Sequence, residues 1–135
     1  MSVTWYEPPP EETLSDHRVD HQLKTVQLRE GVTEFPLSWN FSFSSGLSFE
    51  RLSVDFKESE VGRVRSSGLA GLVSPFDQRY NFSWIPFQKF TLVILNVTNV
   101  DSGLFTCAVE LCQGITCHDW KSSIKVEVVG KFSSD

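Results

Sequence analysis

Long apolar runs are missing from this chain of 135 residues: no stretch of eighteen or more apolar residues occurs, so no segment reads as a membrane-spanning helix. Basic clusters are missing too. Twelve Lys and Arg are scattered against seventeen Asp and Glu, a net charge of −5, which argues against a nucleic-acid partner and against contact with an anionic membrane surface. The first twenty residues, MSVTWYEPPPEETLSDHRVD, carry no hydrophobic signal-peptide core, so the expectation is an ectodomain whose signal and anchor lie outside this sequence. No Gly-rich phosphate cradle occurs, and there are only three His and three Cys, which leaves little for metal or nucleophile chemistry. A sustained 3.6-residue apolar period is also lacking, so long amphipathic helices are excluded.

What is present is aromatic mass and alternation. Eleven Phe and four Trp supply ample core material for one domain of this length. Short alternating segments recur about every ten residues: TVQL with Val26 and Leu28, PLSWNF with Leu37, Trp39 and Phe41, and RLSVDF with Leu52, Val54 and Phe56. RYNFSW, FTLVIL, LFTCAVE and SIKVEV follow, presenting Tyr80, Phe82 and Trp84, then Leu92 and Ile94, then Phe105, Cys107 and Val109, then Ile124, Val126 and Val128. Turn chemistry separates them at Glu30-Gly31, Ser44-Ser45-Gly46, Ser66-Ser67-Gly68, Asn99 to Gly103 and Gln113-Gly114. The fold class is all-β, and two antiparallel sheets packed face to face bury seven such faces economically. Residues 1–20 read as a polar, Pro-containing leader that is partly ordered, 21–130 as the domain and 131–135 as a tail. Three N-x-Ser/Thr sequons, at Asn40, Asn81 and Asn96, favour an extracellular chain.

The run from Phe90 through Asn96-Val97-Thr98-Asn99-Val100-Asp101-Ser102-Gly103-Leu104-Phe105-Thr106-Cys107 closely resembles the E strand, E–F corner and F strand of a variable-type immunoglobulin domain. The resemblance extends from about Val26 to Val128. It implies a V-type β-sandwich and a structural salt bridge between Arg79 and Asp101. Two hallmarks depart from it: the B-strand Cys position holds Trp39, and the C strand offers Leu52-Ser53-Val54 where the family keeps Trp. The tyrosine corner carries Phe105, without the hydroxyl. The expected core is therefore repacked around Trp39, with Leu37, Val54, Leu92, Ile94, Phe105 and Val126, and Cys107 is a free buried thiol. Loss of both hallmarks within a V-type frame resembles the ectodomains of cnidarian (hydroid) allorecognition receptors; vertebrate adhesion receptors that drop the same disulfide are the alternative. The broader resemblance implies a cell-surface recognition module.

Strand parity places Cys112 and Cys117 on the same outer face of a hairpin turning at Gln113 to Thr116, which predicts a Cys112–Cys117 disulfide; the alternative is three free thiols in a reducing compartment. Cys107, Cys112, Cys117 and His118 are close in sequence, but Cys107 points away from the others, so no metal site is expected. Asp16-His17 and His118-Asp119 are adjacent pairs whose side chains diverge on a strand, and with His21 they read as solvated surface groups. No catalytic residue and no cofactor is assigned, and the chain is not read as an enzyme.

In the immunoglobulin topology Asn40, Asn81 and Asn96 belong to one sheet, so glycans would leave the other sheet bare. Its outward parity assigns a partner-binding face to Ser53, Asp55, Lys57, Thr106, Ala108, Glu110, Gln113, Ile115 and Lys121, bordered by Val61, Arg63, Val64 and Arg65. Opposed charges there, Asp55 and Glu110 against Lys57 and Lys121, suit homophilic binding to the same domain on an opposing cell; otherwise the mixed charge is that of any soluble face. A heterophilic receptor, a soluble ligand-binding protein with a pocket near the F–G loop, and a spacer domain are the competing readings.

Overall fold

The alternation that defines the strands also decides which faces are buried. A computed structural model of the protein describes residues 3–8, 12–16 and 19–130, with side chains from 3 to 8 and from 23 to 130. Eleven strands occur among them: β1 (Val3–Glu7), β2 (Glu12–Asp16), β3 (Val19–Arg29), β4 (Glu34–Phe43), β5 (Ser48–Phe56), β6 (Ser59–Arg65), β7 (Ala70–Leu72), β8 (Tyr80–Ile85), β9 (Lys89–Leu95), β10 (Gly103–Gln113) and β11 (Thr116–Val129). They form a four-stranded sheet, β1-β4-β9-β8, and a seven-stranded sheet, β2-β3-β11-β10-β5-β6-β7. All neighbours are antiparallel except β3, which runs parallel to β11 with Val26 opposite Val126. The protein is an all-β, V-type immunoglobulin-like sandwich.

Between the sheets lie the residues of one parity from each strand. Leu37, Trp39 and Phe41 of β4 face Leu52, Val54, Phe105, Cys107, Val109, Ile124 and Val126 of the opposite sheet, with Leu92 and Ile94 beside them; all are buried. Trp39 is fully enclosed, and its indole Nε1 donates to the Ser122 carbonyl oxygen at 3.1 Å. That bond runs from one sheet to the other. Cys107 is opposite Ser122 in the β10–β11 ladder, so the indole reaches the rung where an F-strand cysteine would meet its partner. The tryptophan thus ties the sheets through packing and one hydrogen bond at the place where immunoglobulin domains with an intersheet disulfide have a covalent bridge.

Phe105 stacks on Phe56 with ring centroids 4.0 Å apart, and Tyr80 meets Phe105 edge-on at 6.2 Å. The corner below is held electrostatically instead of by a tyrosine hydroxyl. Asp101, fully buried, accepts from the Thr98 backbone N–H at 2.9 Å and pairs with the Arg79 guanidinium. Gly103 has φ +149°, and a Cβ there would lie 2.7 Å from the Phe56 ring. The glycine of the Asp-x-Gly-x-Phe run is required by that close approach.

The structure adjusts two sequence readings. The leader contributes structure to the sandwich: β1 pairs with β4, and Trp5 is buried against Phe41 at 5.6 Å. A single buried aromatic flanked by charge and proline offered no alternation to read. β2 and the start of β3 extend the other sheet, while Pro9, Pro10, His17, the His21 side chain and residues 131–135 lie outside the described residues. The second correction concerns β6, where the register slips at Val61, so that Val61 and Val64 both enter the core and only Arg63 and Arg65 remain at the surface.

Candidate recognition face

The outer face of β11-β10-β5-β6 can be built rung by rung, because residues directly opposite in antiparallel strands share a face. One rung reads Asp119, Glu110, Arg51, Arg65. The next reads Lys121, Ala108, Ser53, Arg63, and the third Ser123, Thr106, Asp55, Glu60. Adjacent strands are about 4.8 Å apart, so each rung spans about 14 Å.

The charges along these rungs are ordered. On the first, two carboxylates stand on one side and two guanidiniums on the other. Glu60 bonds Arg51 at 3.0 Å and Arg63 at 2.9 Å, which leaves Arg65, and Lys121 on the second rung, without a side-chain partner among the described residues. Asp119 and Glu110 likewise have no ion pair there. Between the two halves lies a shallow polar depression of about 250 Å³ lined by Arg51, Ser53, Asp55, Ala108, Glu110, Asp119 and Lys121. Burial raises the Asp55 carboxyl above its ordinary value, Glu60 adds to the effect, and Arg51 and Lys121 oppose it.

Most residues assigned to this face from parity lie on it, with three qualifications. Ser53 is only 8% exposed and forms the floor of the depression instead of a contact point. Thr106 is tied to Ser123, hydroxyl to hydroxyl, at 2.7 Å. Lys57 is not on the strand at all: with Glu58 it makes the β5–β6 turn at the edge of the face, both at positive φ, and its Nζ donates to the Val100 carbonyl at 3.0 Å. Arg51 and Asp119, missed as face residues, complete the charged rung. Arg51 is the first residue of RLSVDF and shares the outward parity of Ser53 and Asp55, so the alternation itself could have found it.

The hairpin at the top of the face is clamped. Cys112 and Cys117 are directly opposite, with Cα atoms 4.0 Å apart, and are joined by a disulfide. The two-residue turn has φ +63° at Gly114 and a fully exposed Ile115, the pattern in which the first turn position needs glycine. Gln113 and Ile115 are therefore displayed on a stiffened tip. Cys107 is buried as a free thiol on the opposite side of β10, so the three cysteines cannot converge on a metal. Among the described residues no helix is long and apolar enough to cross a membrane.

The other sheet has a different exterior. Ser38 and Thr91 bond across strands at 3.0 Å, Tyr6 and Ser42 at 3.1 Å, and formal charge is sparse. Asn81 and Asn96 are exposed there. Asn40 is half-buried on a rung between Glu7 and Lys89, whose 3.3 Å ion pair spans its strand.

No protein-family model matches the chain, and no curated protein matches its sequence. Among solved structures, murine CRIg matches 96% of this chain and 99% of its own length, with a TM-score of 0.67 and 12% identity. That likeness establishes the immunoglobulin-like fold.

Proposed function

We propose that this chain is an extracellular recognition domain that binds a protein on an opposing cell, and that the partner is a like domain docked on the outer face of β11-β10-β5-β6. The fold is one typical of cell-surface recognition and receptor domains. The observation that carries the homophilic reading is the first rung, whose acidic and basic halves complement each other within one surface. The departures from the V-type pattern at Trp39 and the C strand resemble those of hydroid allorecognition ectodomains, and that resemblance favours the same reading.

The two faces divide the work. Asn81 and Asn96 are the expected glycan sites, on the sheet that leaves the charged face uncovered, whereas a glycan at Asn40 would have to displace the Glu7–Lys89 pair. Intact mass of secreted protein before and after glycan removal reads the occupancy. Binding itself is tested by coating beads with the domain: aggregation that soluble domain blocks supports self-recognition. Beads that stay dispersed, with protein monomeric at high micromolar concentration, would turn the reading to a heterophilic receptor.

A further inference from the structure

The order of groups on the rungs restricts how two copies can meet. A two-fold axis lying in the interface, parallel to the strands and between β10 and β5, lays β11 of one copy over β6 of the other and β10 over β5. Asp119 then falls on Arg65 of the second copy and Glu110 on Arg51, and symmetry repeats both pairs. On the third rung the Thr106 hydroxyl falls on Asp55. A two-fold axis perpendicular to the strands instead lays the first rung on the third: Arg65 meets Glu60, already bonded to two arginines of its own copy, and Asp119 meets the buried Ser123. That arrangement leaves the acidic half without a cation.

We infer that two copies dock face to face about the strand-parallel axis, with Asp119 of each on Arg65 of the other as the pair that sets the register. This rests on the homophilic reading above. The pair is suited to the task because Asp119 and Arg65 are exposed and neither side chain has a hydrogen-bond or ion-pair partner among the described residues, so forming this pair breaks no internal bond. Glu110 and Arg51 lie inside them, nearer the axis and better shielded from salt. The second rung works against the contact: Lys121 falls on Arg63, whose charge is only partly met by Glu60 at 2.9 Å. The register thus carries its own unfavourable contact, and a change at Lys121 gives a prediction opposite in sign to the others.

The test is sedimentation equilibrium of the wild type, Asp119→Arg, Arg65→Glu, an equimolar mixture of those two, and the double variant in one chain. Each single reversal creates two like-charge contacts and is expected to weaken self-association about tenfold or more. In the mixture the mixed dimer re-forms one pair with its native sign and one inverted, the double variant re-forms both inverted, and each should return to within about threefold of wild type. Lys121→Glu should tighten self-association. Wild-type self-association without rescue in the mixture overturns the register and leaves homophilic binding standing. A wild type that does not self-associate overturns both. Unchanged thermal unfolding of the variants shows that only docking was altered.

Discussion

Replacing Trp39 by Phe separates what its ring contributes from what its N–H contributes. The indole is fully enclosed and bonds the Ser122 carbonyl at 3.1 Å. The phenyl ring is smaller by roughly 40 Å³, which costs about 1 kcal/mol if the site does not collapse. The carbonyl left behind adds about 1–3 kcal/mol, because it is buried away from water. The sum is about 2–4 kcal/mol, a large share of the stability of a domain this size. Trp5 provides the internal control. It too is buried, but its Nε1 has no partner, so Trp5→Phe loses comparable volume while removing an unsatisfied donor, and should cost about 1 kcal/mol or less. Urea unfolding followed by far-ultraviolet circular dichroism, with the disulfide kept intact, measures both. Equal losses for the two variants, or a Trp39→Phe loss under 1 kcal/mol, would refute the view that the indole–carbonyl bond replaces the missing bridge.

Gly103→Ala should destabilise by about 1–3 kcal/mol, since its Cβ would meet the Phe56 ring at 2.7 Å on backbone at φ +149°; a change within 0.5 kcal/mol in the same assay would deny that constraint. Cys107 should resist a thiol reagent such as DTNB in native protein and yield one thiol per chain on unfolding without reductant. Burial pushes its pKa well up, with Asp55 adding to the effect, so rapid native labelling would contradict its placement. Asp55 holds its proton more tightly folded than unfolded, so its contribution to stability is full below the ordinary aspartate range and is lost as pH rises through its raised native value. Asp55→Asn removes that loss. Its stability relative to wild type should therefore grow from about pH 3 to pH 7, and a difference that shrinks over that interval would reverse the sign of the argument.

Seven strands were legible because each buries residues of one parity, and β4 with Leu37, Trp39 and Phe41 is the plainest case. The four that were not read lack that signature. β1 buries Trp5 alone, β2 and β7 are short, and in β6 the slip at Val61 places Val61 and Val64 inward three residues apart, which breaks the alternation. The hairpin disulfide followed from parity, whereas the acceptor for the Trp39 indole could not: a backbone carbonyl carries no residue identity, and only the fold brings Ser122 across from Trp39. The same limit governs the face. Asp119 and Arg65 are 54 positions apart, and they belong to one rung only through two intervening strands and a register shift. Composition could show that charges of both signs were available, but their order along the rung is a property of strand pairing.

The most direct measurement of the central claim is an amide chemical-shift map of the ¹⁵N-labelled domain over a concentration series. The account predicts concentration-dependent shifts on the outer residues of β11, β10, β5 and β6, centred on the rung of Asp119, Glu110, Arg51 and Arg65. Shifts centred on β1-β4-β9-β8, or a spectrum that does not change up to high micromolar concentration, would contradict it.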